Sequence, residues 1–158
     1  RRIPTMNLSD YLNGSRIVLN LQGENKKQVL EKLVEILGNQ ISINQQNIVD
    51  LLEVREKLST TGIGFGIAIP HCKSSEVSEL QIVVGRFEQG VDFDALDDNP
   101  VKLLFLLVAP EQSSSEHLKV LAKIARIAKD AEIREQILQI TDSNAVFDYI
   151  KERESKFD

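Results

Sequence analysis

An α/β sandwich, with helices packed on a mixed β-sheet, is the fold this 158-residue sequence predicts. Three observations predict it. Runs rich in β-branched residues alternate with segments whose apolar residues recur at helical spacing. The helical segments between them are long. The longest apolar run, Val101 to Val108, reads as a central strand buried on both faces. The length fits one domain over 1–158 with a sizeable core.

The elements follow in order. Met6, the only methionine, is read as the natural start, which makes Arg1 to Thr5 an expression or processing remnant. Leu8 to Leu12 is a short helical turn ended by Asn13-Gly14. Arg16 to Leu21 is the first strand, and Gln22-Gly23 turns the chain. From Glu24 to Leu37, Val29, Leu30, Leu33, Val34, Ile36 and Leu37 have helical spacing, with Gly38 placed as the residue after the C-cap. A second helix runs from Asn44, its N-cap, to Leu58. On it Ile48, Leu51, Leu52 and Arg55 continue one inward stripe, so Arg55 either snorkels or faces an anion. Ile67-Ala68-Ile69 is a short buried strand that Pro70 should end, which presents His71 at a strand end. Leu80 to Phe87 is the next strand. Gly90 to Pro100 is an acidic, turn-rich loop, and the central strand ends at Ala109-Pro110. Ser113-Ser114-Ser115-Glu116 matches a capping box. Leu118, Leu121, Ile124, Ala125 and Ala128 then line one face of a helix with His117 in its first turn. Helices over 131–140 and 143–154 complete the chain.

Composition narrows the function. A net charge of −5 argues against a general affinity for nucleic acid. No apolar run reaches the ~20 residues that span a bilayer, and the start lacks the apolar core of a signal peptide. One cysteine cannot form an internal disulfide, so the cytoplasm is the expected compartment. There is no repeat and no low-complexity tract.

Several chemistries have no footing. Two histidines and one cysteine give no metal-ligand spacing. G-x-S-x-G and the P-loop pattern are absent. Gly62, Gly64 and Gly66 precede a strand rather than a helix, so they do not form a dinucleotide fingerprint. On their own they read as a tight turn or bulge. Nucleophilic histidine fits better. A neutral imidazole has a free lone pair and can take a phosphoryl group on one nitrogen while the other is held as a donor. Positive charge must then face the transferring oxygens. Arg55 supplies a planar fork of donors, and Lys73 is a weaker candidate that reads as a solvated charge. The N-terminus of the helix after Ser113 supplies free N–H groups and a positive dipole end, which also bias His117 towards neutrality.

The residues then resemble a known signature. Glu56, six positions, Ile63-Gly64, two positions, and Ile67-Ala68-Ile69-Pro70-His71-Cys72 match the phosphohistidine pattern of the mannitol/fructose-type (type 2) IIA components of the bacterial phosphoenolpyruvate:sugar phosphotransferase system, which include the nitrogen-regulatory branch. Gly90 to Asp97 with Pro100-Val101, and Ala109-Pro110-Glu111 with His117-Leu118, resemble the family further along. The resemblance implies a mannitol-IIA-like sandwich and a phosphotransferase. His71 would take the phosphoryl group from phospho-HPr, or its nitrogen-branch counterpart, and pass it to a sugar-specific IIB domain. His117 and Arg55 match positions lining that site, and the two histidines should be close in space. Thr61, Gly62, Gly64, Gly66 and Ser113 are expected on the phosphate and partner surface, the glycines giving clearance to a docking protein. Cys72 is expected to be a small filler. No metal or cofactor is expected. The alternative is a regulator whose partners respond to the phosphorylation state of His71, and the lack of a joined IIB or membrane segment suits it. A plain structural domain with a Gly-rich turn is the third reading.

Overall fold

The computed structural model describes residues 7–157, so the reading of Arg1 to Met6 lies outside the described residues. Strand β1 is Ile17–Val18, followed by helices α1 (Lys26–Gly38) and α2 (Gln45–Leu58). Three short strands come next: β2 (Gly62–Gly64), β3 (Ile67–Ala68) and β4 (His71–Lys73). The long pair β5 (Gln81–Val91) and β6 (Val101–Ala109) precedes α3 (Ser114–Lys129), α4 (Ala131–Gln139) and α5 (Ser143–Glu154). One mixed sheet runs in the order β1-β5-β6-β3-β2, with β4 also on β6. β5 and β6 are antiparallel, whereas β1 on β5 and both β3 and β4 on β6 are parallel. This is the mixed α/β sandwich that the alternation of patterns predicts.

The centre of the sheet explains the two layers. Successive strand side chains point to opposite faces. Leu103, Phe105 and Leu107 pack under α3, α4 and α5 with Val120, Ile124, Ile133 and Ile150. Leu104, Leu106 and Val108 pack under α1 and α2 with Leu30, Leu33, Ile48 and Leu52. β6 is therefore apolar at nearly every position, and only Lys102 of it is exposed. The caps are mostly side-chain carbonyls or carboxylates at the expected place. Asn44 accepts from Asn47 N, and Asn25, Asp130 and Asp142 do the same for α1, α4 and α5.

Five local readings are corrected. The first strand is only Ile17–Val18: a 3₁₀ turn over Gly14–Arg16 takes up Arg16, and the pairing stops before Leu19. Gly38 stays inside α1, and Asn39 is the C-cap. A side chain at Gly38 would meet the Gln45 amide at 2.3 Å, so the exposed Gln45 side chain packs over this glycine, and no left-handed cap is formed there. Pro70 does not end the pairing. It interrupts the ladder, and the chain resumes along the same edge of β6, with Ile67 opposite Leu103 and His71 opposite Leu107. Ser113 precedes α3 but makes no capping bond, because its hydroxyl donates to the Pro110 carbonyl at 3.0 Å instead. Finally, α3 is rotated from the expected face. His117, Val120, Ile124, Ile127 and Ala128 turn inward, and Leu118 is 66% exposed. Both apolar sets have helical spacing, and the one that meets β6 and α4 is the one that buries.

Candidate functional site

His71 opens β4, with the same side-chain parity as Ile67 and Ile69, whose side chains lie in the core on the α3 side. The break at Pro70 has a chemical consequence. The Pro70 carbonyl accepts from Leu107 N at 3.0 Å, which leaves the Ile69 carbonyl for the imidazole. His71 Nδ1 lies 2.7 Å from that oxygen. A carbonyl can only accept, so Nδ1 carries the proton and Nε2 of the neutral ring keeps the lone pair.

The rotation of α3 delivers the second histidine. The rings of His71 and His117 are 5.2 Å apart, edge to face at 64°. His117 is 5% exposed, and its Nδ1 has no hydrogen-bond partner among the described residues. Burial, then the neighbouring His71 and Lys73 charges, pushes its pKa down to about 4. His71 is held below the usual imidazole range chiefly by burial. The Arg55 charge adds to that, while the Ile69 carbonyl and the Glu56 carboxylate pull the other way. Both rings are thus neutral near pH 7.

Arg55 reaches the same cleft from the last turn of α2, and its Nη1 donates to the Ser59 carbonyl at 2.8 Å. It is half-buried at the edge of α2 rather than on the inward face, which is Ile48, Val49 and Leu52. The cleft has a volume of about 440 Å³, with Lys73 and Cys72 also in its lining. Burial pushes the Cys72 thiol up to about 12, so it is a small apolar wall and not a thiolate at pH 7. Apolar side chains of α2 and α3 form a collar at the mouth. Leu51 (39% exposed), Val54 (59%), Leu58 (78%) and Leu118 (66%) all lie there.

The other expected surface residues are not in the cleft lining. Thr61 is buried, with both its N–H and its hydroxyl on the Glu56 carboxylate. Gly62 packs on Ala95, 2.9 Å from where a side chain would begin. Gly64, Phe65 and Gly66 form the left-handed tip of the β2–β3 hairpin, with φ of 97°, 61° and 75°. Ser113 lies one turn from His117, whose N–H donates to the Ser113 carbonyl at 3.0 Å. The exposed collar and the Glu56 contacts carried no separate sequence signal. The collar residues read as ordinary helix positions, and Glu56 stood only as the first letter of the signature.

Residues 10–153 match the model of the family described as phosphoenolpyruvate-dependent sugar phosphotransferase system, EIIA 2. The chain belongs to that family. A nitrogen regulatory protein of Pseudomonas aeruginosa is 37% identical over 144 residues, covering 90% of this chain and 94% of its own. A fructose-specific EIIA component of Haloferax volcanii is 34% identical over 128 residues, covering 80% and 83%. The crystal structure of nitrogen regulatory protein IIA-Ntr from Neisseria meningitidis superposes with a TM-score of 0.86 at 34% identity, over 90% of this chain and 98% of that one.

Proposed function

We propose that the chain is a phosphocarrier in which His71 Nε2 is the transient phosphoryl acceptor. The observation that carries this is the Nδ1 contact to the Ile69 carbonyl, which leaves Nε2 unprotonated in a cleft shared with His117 and Arg55. In the transfer, the Nε2 lone pair forms a P–N bond while the bond from phosphorus to the donor breaks, its electron pair returning to the donor. The proton stays on Nδ1, donated to the Ile69 carbonyl, so the ring can spread positive charge without releasing a proton into the cleft. Arg55, with Lys73 also in the cleft lining, offsets the charge of the phosphoryl oxygens. His117, neutral and adjacent, lines the path of the group. The donor is an HPr-like phosphocarrier and the acceptor a IIB domain, and both would sit on the collar around the cleft.

A regulatory role is the second reading. It is supported by the nitrogen regulatory relative at 37% identity over nearly the whole chain, although a fructose-specific EIIA component at 34% supports the first reading almost as well. The two part on transfer. A carrier should pass the group rapidly to a sugar-specific IIB, and a regulator should hold it and bind partners differently.

The test is labelling from phosphoenolpyruvate through Enzyme I and the carrier. The wild type should gain an acid-labile, base-stable phosphoryl group, and His71→Ala should gain none. His117→Ala should still label but transfer poorly. Labelling of His71→Ala at wild-type level would overturn the assignment.

A further inference from the structure

One carboxylate near the cleft does not face it. Glu56 sits in the last turn of α2, beside Arg55, with its side chain only 5% exposed. Its Oε1 accepts from Thr61 N at 3.1 Å and lies 3.3 Å from Lys26 Nζ, and its Oε2 accepts from the Thr61 hydroxyl. Lys26 is in turn 3.3 Å from Asp94 Oδ2 and stacks over the Phe93 ring. A buried carboxylate with three donors on its two oxygens is tightly placed. Two of those three donors are on Thr61.

Thr61 continues inward. Its carbonyl accepts from Ile69 N at 2.9 Å. Both ends of the Ile69 residue are therefore engaged outside the β6 ladder: N–H on Thr61, and C=O on the His71 imidazole. Pro70 has no N–H and gives its carbonyl to Leu107, and because the Ile69 carbonyl lies in the planar Ile69–Pro70 amide, this holds that carbonyl from its C-terminal side. From its N-terminal side the anchor is Thr61, which Glu56 holds and which the pairing of Gly62 with Ala68 keeps beside β3.

We propose that Glu56 is a positioning residue for His71: by clamping Thr61 it fixes the Ile69 residue whose carbonyl selects the Nδ1–H tautomer and leaves Nε2 as the acceptor nitrogen. The inference rests on the phosphocarrier reading for its consequence, but its immediate effect is on the ring. A small turn of the Ile69 carbonyl away from Nδ1 frees the proton to move to Nε2, and a protonated Nε2 has no lone pair for phosphorus. A misplacement of about 1 Å at the reacting nitrogen costs a reaction about 10²-fold. The Glu56 charge is secondary to its two acceptor oxygens, because the clamp is made of hydrogen bonds. An amide at this position keeps one acceptor towards Thr61 N and should preserve the geometry.

The test compares wild type, Glu56→Leu, Glu56→Gln and Thr61→Val in the whole chain, by long-range ¹⁵N–¹H spectra of the imidazoles and by the rate of phosphoryl acceptance at saturating donor. Wild type should show His71 protonated at Nδ1. Glu56→Leu should show an Nε2–H population and an acceptance rate lower by about 10²-fold. Glu56→Gln should keep the Nδ1–H signal and most of the rate. Should Glu56→Leu not fold, Thr61→Val, which removes only the hydroxyl half of the clamp, takes its place with the same two readouts. A folded Glu56→Leu (or, in its stead, Thr61→Val) whose ring stays wholly Nδ1–H, or whose rate is unchanged, overturns the inference. Failure of the wild type to accept phosphate at all would sink the phosphocarrier reading, and the tautomer spectra would still decide the clamp.

Discussion

At the scale of the residue, His117 makes the sharpest demand on the fold. An imidazole that protonates near 6.5 in the unfolded chain protonates only near 4 in the folded one. Between those values the unfolded state binds more protons, so stability is fully present above about pH 6.5 and is lost as pH falls towards 4. His71 shifts in the same direction and adds to the loss. Denaturant titrations of wild type and His117→Leu over pH 7 to 4 should show it. The wild type should lose on the order of 2 kcal/mol more than the variant, which has no proton to take up at that position. Parallel curves would mean that His117 is not held neutral by burial. A second consequence follows from the 5.2 Å separation of the rings. A phosphoryl group on His71 places negative charge beside His117, and opposite charge favours the imidazolium. The His117 titration, followed by ring proton shifts, should therefore move up from about 4 on phosphorylation.

At the scale of the element, the hairpin tip and two helix starts separate structural from functional demands. Gly66 has φ of 75°, and a side chain there meets nothing closer than the Pro100 carbonyl at 3.8 Å. Its requirement for glycine is backbone conformation, not space. Gly66→Ala should cost about 1–2 kcal/mol in denaturant unfolding while the folded protein labels at the wild-type rate. Lost transfer with stability retained would instead support clearance for a partner. The caps differ in the same way. Asn44 holds the start of α2 through Asn47 N, and Asn44→Ala should cost about 1 kcal/mol. Ser113 makes no such bond, so Ser113→Ala should fall within about 0.5 kcal/mol of wild type. Equal losses at the two caps would show that Ser113 does cap α3. The Asn44 cap was legible because Asn44 stands directly before a clean apolar period. The serine run was misleading because the box pattern ignores the Pro110 carbonyl, which competes for the hydroxyl.

At the scale of the molecule, the sheet was readable and the cleft only half so. Val101 to Val108 marks the centre because a strand covered on both faces loses its alternation, and helical spacing located every long helix. His71 was legible from Pro70, whereas Arg55 came from its fork of donors and the family resemblance, its period having placed it on the inward face that Ile48, Val49 and Leu52 take. The pairing of His71 with His117 came from the family resemblance and not from the apolar period, since it needs the rotation of α3, which the period leaves tied between two apolar sets. The collar has the same origin. β6 carries α2 on one face and α3 on the other, so the apolar positions each helix cannot bury on the sheet meet at the mouth of the cleft. Leu58 at 78% exposure and Leu118 at 66% come from opposite layers. Exposed apolar residues gathered at the mouth of a cleft are where a partner or ligand would dock. Leu58→Asp and Leu118→Asp should each change stability by no more than about 0.5 kcal/mol, since neither residue is buried. If a protein donor docks there, each should raise the donor concentration needed for half-maximal labelling by about tenfold, the effect of losing roughly 1.4 kcal/mol of binding. The labelling rate at saturating donor should hold, because His71, Ile69 and Glu56 are untouched. A fall in that saturated rate with no change in donor concentration dependence would mean that the collar shapes the chemistry and not the encounter.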